Sequence, residues 1–442
     1  MRRHERSGVL AGIVGAPLAL AVASATPVFG AGFSLYEQGA RALGMAGAFA
    51  AQADDPSAIF FNPAGLAHLD DHELLISPNI IRYEIDFAGV APYPGFGVTE
   101  ETETKYFPPV AAYYAQGISK KWAAGIGVYS PYGLEVVWDE PDTYTGKYIS
   151  TKSRITPFYF VPTAAWAPTP ELQIGAGVSV VLSHVELRRH LSAFNPLDNR
   201  TEDIGDVVLE SEAGTGIGFN AGLQWWPAER AKFGITYRSE VDIDYSGPAS
   251  FTQRPTGNPT FDAIVAASFP PDQTVATSVA FPAQGVFAFA FKPGTSITLE
   301  ADFGYTWWSS FDRLEVKFDQ TPANNIVVDQ SWNDVFNIRA GGEYRAGGTS
   351  PWAFRLGYYF DESPQPTESV GPLLPDGDRH GISAGAGWRT GDKGSFIDTV
   401  DLFVLGLIIP DRSTEGVNRD NYNGTYSPNT LVAGFSVGMN FR

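Results

Sequence analysis

The sequence contains no cysteine among its 442 residues. A disulfide framework, a metal site built on thiolates and a cysteine nucleophile are therefore excluded. Basic side chains are also scarce, since 30 Lys and Arg stand against 49 Asp and Glu and the formal net charge is −19 at pH 7. A chain this acidic lacks the positive charge that binds phosphate backbones, so nucleic acid is not an expected partner.

Long apolar runs are missing after the first thirty residues. No later segment approaches the roughly 18 continuous apolar residues that indicate a membrane-spanning helix, and the mean hydropathy is slightly negative at −0.10. Only a closed β-barrel could place such a chain in a bilayer, because a barrel pairs its backbone polar groups internally.

Catalytic and metal-binding motifs are missing as well. The histidines show no H-E-x-x-H spacing and no convincing pairing of a carboxylate with a nucleophile. Acidic loop residues such as Asp376 and Asp378 lack EF-hand spacing. We therefore expect no enzyme, no cofactor and no metal site, although a serine and a histidine brought together across strands would remain an alternative.

The amino terminus predicts export. Arg2, Arg3 and Arg6 precede an apolar run from about Val9 to Val22, which ends in small residues. This is the pattern of a secretory signal peptide, and the run is shorter than the roughly 20 residues that a retained anchor needs. Residues 1–30 are assigned to this peptide, with cleavage after Ala25 or Gly30.

The stretch from Gly39 to Asp70 is the only long segment that resembles helix. Its first half is rich in Ala and Gly, which can pack closely but provide little bulk for a core, so the stretch suits a plug better than a domain. Asp55 is a candidate N-cap with Pro56 at the first helical position. Asn62 before Pro63 then interrupts the helix.

From residue 72 onward, apolar and polar residues alternate with period two in about 14 segments, many of 12 or more residues. Short and long connections between the segments follow each other in strict turn. Long strands of even number with short turns at one end and long loops at the other indicate an all-β transmembrane barrel of the bacterial outer membrane. A barrel of this width needs a plug, since side chains alone fill only the eight-stranded kind.

Strand parity assigns the faces of these segments. Odd-numbered apolar residues from Phe233 to Tyr245 and from Val275 to Phe291 are predicted to share the outer face. Lumen-facing charges are then predicted at Arg238, Arg339, Arg355, Glu240, Asp242, Glu300, Asp302 and Glu343. These charges either pair with one another or include a cation for a carboxylate ligand, and parity alone does not decide between the two.

The stretch AGFSLYEQGARALGMAGAFAAQADDPSAIFFNPAGLAHL resembles the amino-terminal hatch of the FadL/TodX type outer-membrane transporters. The resemblance rests on Asn62-Pro63-Ala64 and on the preceding Ala53 to Pro56, and a PYG at Pro131, Tyr132 and Gly133 fits it. It implies a hatch of residues 31–71, a barrel of residues 72–442 and cleavage after Gly30. The family imports long-chain fatty acids or aromatic hydrocarbons.

The resemblance also implies a mechanism of passive uptake. A hydrophobic ligand would be captured at the extracellular loops, reach a pocket that Phe33 contacts, and leave sideways where the third strand kinks. Movement of the hatch around Asp55, Pro56, Asn62, Pro63 and Ala64 would gate the passage. Expected partners are the ligand, outer-membrane lipid and lipopolysaccharide, and the barrel-assembly machinery, and the barrel is expected to be a monomer.

Two candidate sites have simpler alternatives. Pro131 cannot donate to a strand ladder and would open the wall with Tyr132 and Gly133, or it merely begins a loop. The loop segment FDAIVAASFPP places Phe261, Ile264, Val265 and Phe269 on one helical face. That face would receive a hydrophobic ligand, or it would pack on neighbouring loops.

Two other functions stay open at this point. A general diffusion porin would pass small polar solutes through an open lumen, but such a channel needs no plug. A barrel that serves only as an adhesin or anchor would show no uptake at all.

Overall fold

The computed structural model describes residues 32–69, 71–390 and 395–441. The predicted signal peptide, residues 1–30, lies outside these residues. Among the described residues, no helix combines the length and the apolar composition needed to cross a membrane.

The described chain is built mainly of strands. The helices are α1 Ala40–Leu43, α2 Ala58–Phe61 and α3 Pro259–Ser268, with short 3₁₀ turns at Pro63–His68, Trp308–Ser310, Pro322–Asn324, Ala346–Gly348 and Thr367–Ser369. The strands are β1 His72–Gly89, β2 Thr99–Glu101, β3 Lys105–Phe107, β4 Val110–Ser119, β5 Trp122–Tyr129, β6 Leu134–Val137, β7 Lys152–Thr169, β8 Leu172–Asn195, β9 Arg200–Glu210, β10 Gly214–Ala228, β11 Ala231–Arg238, β12 Val241–Gln253, β13 Gln273–Phe281, β14 Gln284–Phe291, β15 Ile297–Thr306, β16 Arg313–Phe318, β17 Ile326–Asp329, β18 Val335–Tyr344, β19 Trp352–Asp361, β20 Arg379–Arg389, β21 Ile397–Ile408, β22 Arg412–Ser413 and β23 Gly424–Phe441.

The sheet is antiparallel and closes on itself. Its first strand pairs with its last along the whole length, from His72 opposite Phe441 to Gly89 opposite Gly424. On its other side β1 pairs with β4, and the ring continues through β5, β7, β8, β10, β11, β14, β15, β18, β19, β20, β21 and β23. The predicted barrel is confirmed.

About 14 strands are expected, whereas the described part of the chain contains 23 strand segments, of which the 14 named above form the closed ring. The difference arises because several long strands are interrupted: β11 and β12, or β13 and β14, each follow one another along the wall after a break of two residues. The remaining short strands extend the sheet at the end with the long loops.

The outer face of the barrel is apolar and its inner face is polar, which is the reverse of a water-soluble protein. In β10, Ile217 is 76% exposed on the outer face, whereas Asn220 and Gln224 on the other face are buried. The same alternation continues through β14, β15 and β18 to β21, where exposed side chains are apolar. An apolar outer band over polar inner side chains is the pattern of a barrel that faces lipid.

The predicted faces are wrong at the end with the long loops. Ile235 in β11 is 51% exposed, but Ile243 in β12 is completely buried although both positions are odd. The pairing of β10 shifts by one residue between Arg238 and Asp244, and such a slip exchanges the two faces of a strand. Glu240 and Asp242 are therefore exposed rather than in the lumen.

The same reversal occurs on the neighbouring strand. Val279 and Phe281 in β13 are buried, whereas Phe287 and Phe289 in β14 are exposed. Residues 282–283, which separate these strands, stand opposite the break at residues 239–240. Pro282 suits this break because proline cannot donate to a ladder.

The amino-terminal segment, residues 32–69, is less helical than predicted. It contains only α1, α2 and one 3₁₀ turn, because its Gly- and Ala-rich stretch follows the wall rather than forming a helix of its own. The helix expected at Pro56 begins at Ala58, and Asp55 instead closes a local turn by accepting a hydrogen bond from the Ser57 N–H at 2.9 Å. The interruption at Asn62 is confirmed, since α2 ends at Phe61 and Asn62 is extended.

Candidate functional site

The amino-terminal segment contacts strands on all sides of the barrel. The N–H of Ala40 donates to Ser436 Oγ of β23 at 2.8 Å, the N–H of Phe49 donates to Asp302 of β15 at 3.1 Å, and Tyr113 of β4 donates to the carbonyl of Gln38 at 3.0 Å. A segment held by strands on opposite sides of a closed sheet lies in its lumen.

Asn62 bonds the segment to the wall through its amide side chain. Its Nδ2 donates to the carbonyls of Ala50 at 2.8 Å and of Leu223 in β10 at 3.1 Å, and its Oδ1 accepts from the Ala64 N–H at 3.2 Å. Gly222 provides the space, because a Cβ there would stand 2.0 Å from Asn62 Oδ1. Pro63 and Ala64 follow as the first residues of the 3₁₀ turn.

A charge cluster lies at the short-turn end of the lumen. Arg41 contacts Asp54 at 2.5 Å, Glu343 of β18 at 3.4 Å and Asp55 at 3.8 Å. Burial disfavours the ionised form of Asp54, but the charges of Arg41, Lys232 and His68 together outweigh burial and hold the pKa of Asp54 well below its ordinary value. Burial is the larger influence on Asp55 and raises its pKa.

His68 lies at the same end, beside a wall lysine. Its Nε2 is 3.3 Å from Lys232 Nζ, and its Nδ1 is 3.3 Å from the Gln173 side-chain nitrogen. Burial, together with the Lys232 charge, lowers the pKa of His68 to about 4. The imidazole is therefore neutral at pH 7.

The lumen beyond the amino-terminal segment is apolar and aromatic. Phe33 is 4% exposed. It packs against Trp308 with ring centroids 4.8 Å apart, Phe311 at 5.5 Å, Phe281 at 5.8 Å and Tyr132 at 6.0 Å. We call this packed cluster of side chains the aromatic chamber; its further members are Tyr159, Val241, Ile243, Tyr245, Val279 and Trp332.

The wall is irregular where the sequence predicts an opening. β5 ends at Tyr129 and β6 begins at Leu134, and residues 131–133 pair with the amino-terminal segment instead of with β7. The Leu35 N–H donates to the Pro131 carbonyl at 2.8 Å, the Gly133 N–H donates to the Phe33 carbonyl at 2.9 Å, and Tyr132 forms a bridge with Ser34.

The three predicted lumen arginines are buried but differ in their partners. Arg339 donates from Nη2 to both carboxylate oxygens of Asp361, at 2.8 and 3.0 Å. Arg355 bonds Glu343 at 2.7 Å and Asp401 at 2.6 Å. Both are therefore neutralised by carboxylates, which fits the interpretation of paired lumen charges for these two arginines.

Arg238 differs, since among the described residues it has no carboxylate within ion-pair distance. It donates to Gln284 Oε1 at 3.0 Å and to the Phe60 carbonyl at 3.1 Å, and its guanidinium stacks over the Phe60 ring at 4.3 Å. A cavity of about 30 Å³ lies beside it, which Tyr36 and Arg339 also line.

A larger cavity of about 710 Å³ lies among the long loops. We call it the vestibule. Its lining is mainly apolar and comes from several loops and strand ends, with Arg189 and Arg419 at its polar side: Ile149, Leu187, Leu209, Phe251, Val316 and Leu373. Helix α3 lies near it, where Phe261 and Val265 are buried, Ile264 is 52% exposed and Phe269 packs close to Gly205.

A family model described as outer membrane protein transport protein (OMPP1/FadL/TodX) matches residues 20–441. The chain belongs to this family. It is accordingly an outer-membrane transport protein and not an enzyme.

Relatives of the FadL/TodX family match the chain over most of its length. The long-chain fatty acid transport protein of Escherichia coli is 24% identical over 431 residues, which cover 92% of this chain and 94% of that protein. A FadL homologue from Pseudomonas aeruginosa has a TM-score of 0.82 at 20% identity and covers 93% of this chain and 100% of its own. The toluene transporter TodX of Pseudomonas putida has a TM-score of 0.74 at 15% identity, covering 92% and 100%.

Sequence reasoning missed most of the aromatic chamber. Val241, Ile243, Val279 and Phe281 were assigned to the lipid face because their parity matches that of exposed neighbours. The signals of a break were present in Pro282 and in the Ser239-Glu240 pair, but a slip of one residue has no reliable signature in a single sequence.

Proposed function

We propose that this FadL/TodX family member takes up hydrophobic molecules passively across the outer membrane. The observation that supports the proposal is the aromatic chamber, a buried cluster of aromatic and aliphatic side chains that includes Phe33 of the amino-terminal segment and against which Leu373 and Leu374 of the vestibule pack. The similarity to a long-chain fatty acid transport protein and to a toluene transporter supports the same class of ligand.

The path begins at the vestibule. Apolar area open to the outside attracts a hydrophobic ligand by removing that area from water. Ile264 on α3 adds an exposed apolar side chain, and Phe269 packs nearby. From the vestibule the ligand passes to the aromatic chamber, where Phe33 and Tyr132 lie in contact.

Residues 31–71 act as a hatch below this chamber, and residues 72–442 form the barrel. The Asn62-Pro63-Ala64 corner holds the hatch to the wall, and Asp55 and Pro56 shape the turn that precedes it. The contacts that support this role are those of Asn62 with Leu223 and of Arg41 with Glu343.

The ligand leaves sideways at Pro131, Tyr132 and Gly133. These residues pair with the amino-terminal segment, so movement of that segment would uncover the interruption between β5 and β6. Restoring a regular strand there tests the exit: uptake should fall while the barrel stays folded. Unchanged uptake would contradict lateral exit but not the hydrophobic cargo.

Arg238 favours a ligand with an anionic head, such as a fatty acid. A buried cation without a carboxylate partner gains most from an incoming carboxylate, because a charge-assisted hydrogen bond is strong where water is excluded. Arg339 and Arg355 are already neutralised and position the hatch and wall instead.

The alternative function is a general diffusion porin. The segment that fills the lumen argues against it, and conductance of the reconstituted protein decides: a large steady current would contradict a closed hatch. The decisive measurement of cargo is uptake of fatty acids, alkanes and aromatics by cells with and without this protein. Equal uptake in both would refute the proposal. We expect the protein to act as a monomer among outer-membrane lipid and lipopolysaccharide after insertion by the barrel-assembly machinery.

A further inference from the structure

Two carboxylates of one wall strand bind four consecutive backbone N–H groups of the amino-terminal segment. Asp302 Oδ2 accepts from Phe49 at 3.1 Å and from Ala50 at 3.2 Å. Glu300 accepts from Ala51 at 2.6 Å through Oε1 and from Gln52 at 3.1 Å through Oε2. Being two residues apart in β15, both side chains project to the same face.

The carbonyls of the same stretch are bound by wall donors. Gln52 O accepts from Lys232 Nζ at 2.8 Å and from Gln224 Nε2 at 3.3 Å. Ala50 O accepts from Gln224 Nε2 at 3.4 Å in addition to Asn62. Side chains of β10, β11 and β15 thus make the hydrogen bonds to the backbone of residues 49–52 that a neighbouring strand would otherwise make.

Apart from these N–H groups, Glu300 and Asp302 have each other as side-chain partners. Glu300 and Asp302 are 3% and 4% exposed, and within the described part of the chain neither lies within ion-pair distance of Lys, Arg or His. Buried charges need hydrogen-bond donors, and here the donors are the backbone groups of residues 49–52. The carboxyl groups of Glu300 and Asp302 and the N–H groups of residues 49–52 therefore satisfy each other's hydrogen-bonding capacity.

The wall is shaped for close contact at this stretch. A Cβ at Gly234 in β11 would stand 2.5 Å from the Ala50 carbonyl, and a Cβ at Gly341 in β18 would stand 2.5 Å from the Met45 Cβ. The amino-terminal end of the segment differs, since residues 32–35 bond to irregular backbone at residues 131–133 and to the loop carboxylate of Asp376.

We infer that Glu300 and Asp302 are positioning residues that fix residues 49–52 to the wall, and that this stretch stays bound while the hatch opens. Opening is then a movement of the chain before it, at residues 32–35, which bond to irregular backbone and to a loop carboxylate. The inference rests on the proposed hatch function, but its test requires no ligand.

The test uses the absence of cysteine, which makes an introduced thiol unique. Gln52→Cys is placed in the full-length protein and in Glu300→Gln, Asp302→Asn and doubly substituted backgrounds, and a water-soluble maleimide is added to the folded protein in vesicles. Because the double variant weakens four buried hydrogen bonds at once, each worth roughly fivefold in an equilibrium constant, it should label at least about tenfold faster than the parent. Its ion conductance should rise as well.

Asp401→Asn is the matched control. Asp401 is also a buried lumen carboxylate, but it bonds the wall residue Arg355 and no backbone N–H of the segment. It should leave labelling unchanged. Barrel folding is checked by heat-modifiable gel mobility, and slow labelling of a folded double variant would overturn the inference.

A disulfide lock gives the second readout. Ala51 and Ala288 pack in one small buried cluster, so Ala51→Cys with Ala288→Cys can tie the stretch to β14. After oxidation, uptake of hydrophobic ligand should equal the uptake measured with the reduced protein, because the stretch does not move. Loss of uptake that returns on reduction would overturn the inference while leaving the proposed cargo intact.

Discussion

The hydroxyl of Tyr132 donates a hydrogen bond to the carbonyl of Pro282, 2.9 Å away on a different part of the wall. Tyr132 lies in the irregular stretch between β5 and β6, and Pro282 lies in the break between β13 and β14. The bond joins two interruptions of the barrel through the aromatic chamber. The interruption of the wall between β5 and β6 and the reversal of strand faces are therefore parts of one structure.

The first prediction concerns this bond. Tyr132→Phe keeps the ring in contact with Phe33 but leaves the buried Pro282 carbonyl without its donor, so it should lower the free energy of unfolding by about 1 kcal/mol. The measurement is urea unfolding in lipid vesicles. Tyr426→Phe is the control, because the buried Tyr426 hydroxyl has no hydrogen-bond partner in the described chain, and its removal should be neutral or stabilising.

The second prediction tests the reversal of faces. Ile243→Asn places an amide among the buried side chains of the aromatic chamber, so it should cost stability and also reduce uptake of hydrophobic ligand by the folded barrel by about tenfold. Ile235→Asn places the same amide on the lipid face and should cost about 2 kcal/mol of stability in vesicles with little effect on uptake by the folded fraction. The same behaviour in both variants would show that the two positions share a face.

The barrel was predictable because its signals are local. The alternation of apolar and polar residues marks strands such as β10 and β14, and the turn-rich segments between strands mark where the strands end. Asn62-Pro63 likewise marks a helix end through backbone sterics alone. Closure of the sheet into a barrel follows from these strand signals, because an open sheet edge cannot stay in lipid.

The chamber was not predictable because it depends on register. Val241 and Ile235 have the same parity and similar chemistry, and only the one-residue shift opposite β10 turns one inward. Pairing across strands is fixed by tertiary contacts and not by the segment itself. The partners of Arg238 and Arg339 were hidden for the same reason, since Asp361 and Gln284 lie on neighbouring strands.

The third prediction separates the ligand classes. Arg238→Gln removes the cation but keeps hydrogen-bond donors, so it should weaken binding of a fatty acid by about tenfold or more and leave a neutral alkane or aromatic unaffected. The measurement is a competition binding assay with the purified protein. Arg313→Gln, at an exposed ion pair with Asp329, is the control and should change neither ligand. An equal loss for both ligand classes would assign Arg238 a structural role alone.

The fourth prediction concerns capture at α3. Ile264→Ser removes an exposed apolar side chain, and Phe269→Ser removes a larger one that packs near Gly205, so the double change should weaken capture of hydrophobic ligand several-fold by lost apolar contact. Initial rates of uptake at low ligand concentration measure capture. Ala266→Ser on the same helix is exposed as well and should have no effect. Unaltered binding in the double variant would remove α3 from the path.

The fifth prediction is a dependence of stability on pH at the chamber's edge. Asp376 Oδ2 accepts from the Gly32 N–H at 3.1 Å and from Ser363 Oγ at 2.5 Å. Burial raises the pKa of Asp376 to about 6, although Arg379 opposes this. The folded protein therefore holds a proton on Asp376 at a pH where the unfolded chain has released it.

The direction in which stability changes with pH follows from this difference in bound protons. Between about pH 4 and pH 6 the folded state binds one more proton at Asp376 than the unfolded state does, so stability falls as the pH rises, by roughly 3 kcal/mol in all. Asp376→Asn removes this part of the pH profile, and the difference between parent and variant in urea unfolding from pH 4 to pH 7 measures it. A constant difference across that range would mean that Asp376 keeps an ordinary pKa, and that the tie between Gly32 and the loop does not respond to protons.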